Sequence, residues 1–578
     1  MPASFRLSLP ALAAALSGLL VLAIPLFLLG FSLPLLEGGQ WSALFSWHWR
    51  PLAGQFGILP MLVGSLLLST SAMLLAFPLA LGLCAFVHGI GPQWAARPLL
   101  AMIRAMTSVP TVVYGLASMF LLVPLIRNAF SGSGFSWLAA MLTLSLLVLP
   151  TIVLLIDGQF RQIRLSLHLS AMALGFDQVQ QMVCLILPLS VRGMALAAVL
   201  GFGRAIGDTL LPLMLAGNAP LLPASPLEPL RTLTAHIALV VATDSQSTAY
   251  HSLFACGLLL FLVSLMVNLG VRHLRHDALK ATVKTGNAWL ALRLLPLLAW
   301  AAALLLPLLL ATLLGFLLWQ GAGALNIKLL FGDTPPLAAI FHGAPVFDGI
   351  WPACLGTLCL VALATALAIP LGIASGIWLA EYARGPARTL FAFAVELLAG
   401  VPSIVMGLSG FALILLLRRS FAPDANTGLL LSAGCLALLI LPALISTTRL
   451  SLENLPQELR LAGASLGMSR ARQLRHLLLP AAGTGILGGI VLAVGRAAED
   501  TAVILLTGVV ANAGTPASLT GKYEALPFHI YYLAAEYHSP AELAQAFATA
   551  LVLMSLTGLL FAAARRLQAG FERRWQRG

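Results

Sequence analysis

Charge is what this chain has least of: 9% of its 578 residues are charged and 60% are hydrophobic, with a mean hydropathy of +0.97. A soluble protein carries about 25% charged residues, so a water-soluble globular fold is excluded. Many segments exceed the roughly 20 apolar residues that cross a bilayer as a helix, and the short alternating segments of a membrane β-barrel are missing. The six cysteines (Cys84, Cys184, Cys256, Cys354, Cys359, Cys435) show no zinc or redox spacing; they read as small packing residues, and neither a metal nor a cofactor is expected. A nucleotide-binding loop is also missing. The nearest approach is Gly514 to Tyr523, GTPASLTGKY, where Pro516 stands at the first required glycine and Tyr523 follows Lys522. The chain therefore contains no ATP-hydrolysing engine and no expected enzymatic activity.

The net charge of +12 sits in clusters beside apolar runs. Arg272, Arg275, Lys280, Lys284 and Arg293 form one; Arg565, Arg566, Arg573, Arg574 and Arg577 form another. That is the pattern of a topology signal in contact with anionic lipid, not of a nucleic-acid surface. Met1 to Leu36 has one arginine and a long apolar run without a small-residue cleavage site, so it reads as a first span and not as a removed leader.

What the chain does have is a copy of itself. Pro78, Pro110, Gly115, Pro150, Gly175, Pro188, Arg204, Asp208 and Thr209 recur 292 residues later as Pro370, Pro402, Gly407, Pro442, Gly467, Pro480, Arg496, Asp500 and Thr501. So long a period is no solenoid; it marks two homologous membrane halves, of the kind that place a transport site at their interface. Apolar runs predict six spans per half, near 11–36, 58–88, 98–126, 137–157, 184–216 and 250–272, then 290–320, 350–381, 389–418, 427–448, 480–511 and 542–566. An even number per half makes the repeat parallel. The division expected is 1–272 and 290–578, joined by a polar bridge at 273–289. Segments 217–249, 321–349 and 512–541 are poor in charge, whereas the bridge, 449–476 and the tail are basic, so both termini and the bridge are placed in the cytoplasm.

Between the fourth and fifth spans each half carries a short helical stretch, a glycine (Gly175, Gly467), a second amphipathic stretch and Leu-x-Leu-Pro ending at Pro188 or Pro480. This spacing resembles the E-A-A-x3-G-x9-I-x-L-P signature of ABC importer permeases. The resemblance implies a type I ABC importer permease fold: an all-α polytopic membrane protein of about 12 transmembrane helices in two parallel-repeat halves of six. It also implies that Ala171, Gly175, Pro188, Ala462, Gly467 and Pro480 belong to segments that dock on two cytoplasmic ABC ATPase subunits. The acidic position of the signature is Leu169 in one copy and Leu461 in the other.

Charges inside apolar runs are functional candidates by default. They occur in GFGRAIGDTLLPLMLAGN (201–218) and AVGRAAEDTAVILLTG (493–508), where Arg204/Asp208 and Arg496/Asp500 are expected as i,i+4 pairs on one helix face. Arginine offers a desolvated oxyanion a planar, bidentate donor. These segments resemble the phosphate-specific (Pst-type) ABC importer permeases, the first half their C subunit and the second their A subunit, with LAGVPSIVMGLSG at 398–410 in support. The resemblance implies a permease for inorganic phosphate served by an extracytoplasmic phosphate-binding protein, with Arg204, Asp208, Thr209, Arg496, Glu499, Asp500 and Thr501 along the substrate path. Another oxyanion or a phosphonate, and a proton-coupled transporter using Asp208 and Asp500 as relays, are the competing readings. Arg104 and Glu396, also 292 apart, are a candidate pair locking one half to the other.

Overall fold

Twelve helices among the described residues are long and apolar enough to cross a membrane. The structure is a computed structural model and describes residues 9–37, 41–130, 132–243, 248–276 and 288–577. Most of the bridge, 277–287, lies outside them. The expected spans are found, but three departures, each with a local cause and made in one copy or both, shape the functional regions.

The third and ninth spans are broken. An amphipathic helix, Gln93–Met106, is separated by Thr107–Pro110 from the span Thr111–Ala129, and Gly385–Gly400 is separated by Val401 and Pro402 from Ser403–Ser420. A residue before proline is pushed out of the helical region, so Val109 and Val401 end what composition alone reads as continuous. The fourth span departs in the opposite direction. Trp137–Ala173 runs unbroken for 37 residues, about 55 Å at 1.5 Å per residue, well beyond a hydrocarbon core of about 30 Å. Its counterpart, Leu429–Glu453, stops before Pro456 and restarts as Gln457–Ser465.

The fifth and eleventh spans end early. Gln178–Gly207 stops at Asp208, and a short helix, Leu210–Leu215, follows; Arg470–Glu499 stops at Asp500, followed by Ala502–Thr507. Asp208 and Asp500 have extended backbones, with ψ 136° and 123°. The expected i,i+4 arrangement on a continuous helix is therefore replaced by a helix end.

Packing divides the chain differently from its repeat. One compact unit is Pro34–Gly323, the other Ala324–Gly578 with Met1–Leu33. The helix that opens each copy thus belongs to the unit of the other copy. Ser17 Oγ and Ser375 Oγ are hydrogen-bonded at 3.0 Å in one unit. In the other, Trp300 meets Phe86 edge to face at 5.0 Å, and Gly82 lies so close to the Leu298 carbonyl that a Cβ there would approach it to 2.8 Å.

After each short helix the chain loops back and forms a further helix, Leu233–Thr243 or Leu526–Glu536. The first amide of each is held by a span: Leu233 N donates to Ser65 Oγ and Leu526 N to Thr357 Oγ1. The serine and threonine are 292 apart but the leucines 293 apart, so one residue is inserted in the second loop. His236 and His529 share this slipped register. Both ring nitrogens of His236 and Nδ1 of His529 lack hydrogen-bond partners among the described residues. Burial lowers His236 to about 3, helped by Arg231, and His529 to about 4. Because the folded values lie below the unfolded value of about 6.5, their neutral forms support the fold fully above that pH, and the support is lost as pH falls through 6.5 toward 4. Thermal unfolding in detergent should fall over that window, by up to about 1.4 kcal/mol per pH unit for each histidine. The His236→Gln/His529→Gln double variant should show a flatter profile; equal slopes would reject the assignment.

Candidate functional site

Each copy builds the same construction at its broken span. Arg204 occupies the last turn of the helix ending at Gly207, and Arg496 the last turn of the helix ending at Glu499. A cation there is favoured by the negative end of the helix dipole. Both arginines are exposed, each on an accessible surface of its own unit. A guanidinium carried by a membrane span and not enclosed by protein is tolerable only where water or a polar ligand reaches it.

The carboxylates have a different duty. Asp208 Oδ2 accepts from Leu211 N at 3.0 Å, and Asp500 Oδ1 from Val503 N at 3.0 Å. Each caps the short helix that follows, satisfying one of its free amides. Thr234 Oγ1 donates to the Asp208 carbonyl at 2.9 Å, the Ser403 hydroxyl donates to the Asp500 side chain, and Arg496 is near enough to Asp500 to act on its charge. The aspartates thus hold the break open and place an arginine on one side of it and a helix N-terminus on the other. Glu499 is half-buried beside Asp500. Thr209 and Thr501 are enclosed, 2% and 1% exposed, and their hydroxyls have no hydrogen-bond partner among the described residues. They line the inner side of the break and do not reach its surface.

Glycine makes this geometry possible nearby. A Cβ on Gly115 would stand 2.5 Å from Met214 Sδ in the first short helix, and one on Gly407 would stand 2.9 Å from the Val503 carbonyl in the second. Each short helix therefore lies directly against the span carrying that glycine.

The second repeated region follows the fourth span. Gly175 (φ +77°) and Gly467 (φ +69°) are left-handed. Phe176 N bonds to Ala171 O and Gly175 N to Met172 O; Met468 N bonds to Gly463 O and Gly467 N to Ala464 O. This paired pattern is the Schellman helix end. An added Cβ would meet nothing within 4 Å at either glycine, so the requirement is backbone conformation. Ala171 and Ala462 lie in the helices so terminated, and Pro188 and Pro480 open the next ones at positions where no amide is needed. Just before Leu-x-Leu-Pro, or within it, each copy adds a π-type turn, 181–186 and 474–478, an irregularity that recurs at functional positions. The surface so presented is apolar: Leu169 and Leu461 are 83% and 67% exposed, Leu174 and Leu466 75% and 78%. Large leucines thus stand exposed at matching positions in both copies.

Arg104 and Glu396 are exposed, each in its own unit. Sequence reasoning missed two features. Arg231 and Glu524 hold matching positions in the slipped register. Arg231 Nε donates to Asn218 O at 2.7 Å, and burial lowers its pKa. Glu524 is buried, which raises its pKa, partly offset by the amides of Gly514, Ala513 and Asn512. A search at a fixed offset of 292 cannot pair them, whereas one allowing a single insertion can. The other missed feature is a basic cavity beside Leu169.

Residues 83–279 and 368–577 each match the model of one family, described as "Binding-protein-dependent transport system inner membrane component". Among similar proteins, a probable ABC transporter permease protein, YqgH of Bacillus subtilis, is 33% identical over 40% of this chain and 76% of its own length. The phosphate transport system permease protein PstC of Pasteurella multocida is 28% identical over 40% of this chain and 80% of its own. PstA of the same organism is 32% identical over 43% of this chain and 84% of its own. The two matched regions together cover more than half of the chain and coincide with the two copies of the capped break and the Schellman-ended segment. The chain is therefore a multi-pass inner-membrane protein with a type I ABC permease fold, and it belongs to the family of binding-protein-dependent transport system inner membrane components, whose domain it carries twice.

Proposed function

We propose that the chain is the transmembrane permease of an ATP-driven importer of inorganic phosphate, working by alternating access. The observation that carries this reading is the doubled construction of an exposed arginine at the end of an apolar span, followed by an aspartate-capped break. An oxyanion leaving water needs a charged, bidentate donor, and each copy supplies one: Arg204 and Arg496. The relatives named as phosphate transport system permeases support the choice of anion. The capping of short helices by Asp208 and Asp500 favours this reading over a proton relay. Two cytoplasmic ABC ATPase subunits would dock on the Schellman-ended segments, an extracytoplasmic phosphate-binding protein would deliver the substrate, and both termini would lie in the cytoplasm. The chain itself would catalyse nothing.

The test is reconstitution. The purified chain alone should not hydrolyse ATP, and pull-down from its native membrane should recover an ATPase at two copies per chain. Proteoliposomes containing chain, ATPase and binding protein should accumulate labelled phosphate only with ATP. Uptake driven by a proton gradient without ATP would overturn the proposal, as would a preference for sulfate or a phosphonate over phosphate in competition.

A further inference from the structure

A cavity of about 510 Å³ opens beside the first Schellman-ended segment, within the unit Pro34–Gly323. Its polar lining is His88, Arg104, Asp157, Arg161, Arg164 and His168. His88 lies in the π-type turn Phe86–Ile90, Arg104 in the last turn of Gln93–Met106, and the rest on the long extension of Trp137–Ala173. Positions 157, 161, 164 and 168 are spaced by four, three and four residues, which puts them on one helix face. We propose that this cavity binds a phosphate group, either free inorganic phosphate or the headgroup phosphate of an anionic lipid, and that its occupancy bears on the adjoining turn at Gly175.

The charges do not balance from within. The one carboxylate, Asp157, is engaged by His88, with Oδ1 2.8 Å from Nε2. Arg164 Nη1 donates to the His88 carbonyl at 2.6 Å, a neutral acceptor. Arg104 and Arg161 make no ion pair among the described residues. Three guanidinium groups around one cavity repel each other, and an anion is what would offset that repulsion.

A topology signal does not explain cations at these particular positions, because two of them are carboxylates in the other copy, which has the same topology. Residues 292 positions on from Asp157 and Arg161 are Arg449 and Glu453, with the charges reversed, and Arg104 corresponds to Glu396. There Glu453 accepts from Arg388 at 2.7 Å and from Arg449 at 2.9 Å, and Glu381 accepts from Arg460 at 2.6 Å. The second copy thus pairs Arg388, Arg449 and Arg460 internally. At Arg104 and Arg161 the first keeps cations where the second has Glu396 and Glu453.

The geometry favours phosphate. Guanidinium forks match pairs of phosphate oxygens, and Leu165 and Leu169, 79% and 83% exposed, give the mouth an apolar rim. A path leads from the cavity to the turn. His168 Nδ1 donates to Gln181 Oε1 at 3.0 Å, and Gln181 Nε2 donates to the carbonyl of Phe176, the residue after Gly175, at 3.0 Å. An anion drawing on His168 would alter the group that holds this turn.

The experiment uses the full chain, without ATPase or binding protein, in lipid nanodiscs, so its outcome is independent of whether phosphate is transported. Amide hydrogen exchange is followed over 157–181 during titration with inorganic phosphate in pure phosphatidylcholine discs, and separately in discs containing phosphatidylglycerol. Saturable protection by phosphate in neutral discs identifies free phosphate. Protection present with phosphatidylglycerol and unchanged by added phosphate identifies the lipid headgroup. Either supports the site, provided that Arg104→Gln/Arg161→Gln, with an unchanged unfolding temperature, raises the half-saturating phosphate concentration at least tenfold in the first case or removes the phosphatidylglycerol-dependent protection in the second. No protection in either disc overturns the proposal in the wild-type chain, whatever the variant does. Protection indifferent to the double substitution also overturns it.

Discussion

Arg204→Gln and Arg496→Gln are each expected to abolish ATP-dependent phosphate uptake while leaving the amount of protein in the membrane near wild type. Both side chains are exposed at the last turn of a span, so glutamine removes little packing, and exposed substitutions usually change stability by no more than about 0.5 kcal/mol. Transport stands to lose far more. A hydrogen bond to a charged group contributes about 1.5–3 kcal/mol, and a bidentate guanidinium makes two, so uptake should fall by roughly two to four orders of magnitude at about 1.4 kcal/mol per decade. Lysine should rescue poorly, because an ammonium lacks the planar fork. Exchanging Arg204 with Asp208 is not a clean test of a salt bridge, since Asp208 caps the next helix and the exchange would uncap it. Asp208→Asn is cleaner. Asparagine caps about as well as aspartate, so this variant should fold normally and report only the loss of charge. Near-normal uptake by either arginine variant, measured with labelled phosphate in proteoliposomes, would remove the anion-contact role.

Much of this arrangement was legible because composition and repetition are strong signals. Twelve apolar runs, the duplicated glycines and prolines, and the paired arginines all follow from reading the chain against itself. Where the reading failed, hydrophobicity ran straight through a backbone event. LLPLML after Asp208 is as apolar as the span before it, so the break is announced only by an aspartate three residues ahead of an amide it can cap. The proline-induced breaks before Thr111 and Ser403 were likewise visible only to steric reasoning about the preceding residue. The exchange of opening helices was not legible at all. A repeat shows which segments are homologous, and Leu9–Pro34 carries nothing in its uniformly apolar surface to say which copy it packs with. The basic cavity was missed for another reason. Asp157 and Arg161 look like an ordinary i,i+4 pair until the fold gives Asp157 to His88.

The substitution with the second-largest expected effect tests the apolar surfaces beside Gly175 and Gly467. In the signature that this region resembles, the position of Leu169 and Leu461 is acidic, so docking here has to rely on something other than a carboxylate. Both leucines are exposed, with Leu174 and Leu466 exposed near them. If an ATPase covers these positions, each leucine is buried on assembly, where a full Leu side chain contributes about 1.5–3 kcal/mol. Replacing both with alanine retains part of that, so the double variant Leu169→Ala/Leu461→Ala should weaken the complex by about 3 kcal/mol, or roughly a hundredfold. The folded chain should be nearly indifferent, because neither side chain packs into its unit. The glycines offer a contrast: Gly467→Ala places a Cβ in open space but on a left-handed backbone, so it should cost about 1 kcal/mol of local stability and disturb docking only through the turn. The measurement is retention of the ATPase on the immobilised chain over a dilution series, with thermal unfolding of the chain alone as the control. If Leu169→Ala/Leu461→Ala retained the ATPase as the wild type does, the apolar surfaces would be lipid-facing, and the engine would have to dock through the basic residues Arg470, Arg472 and Arg475 of the second segment instead.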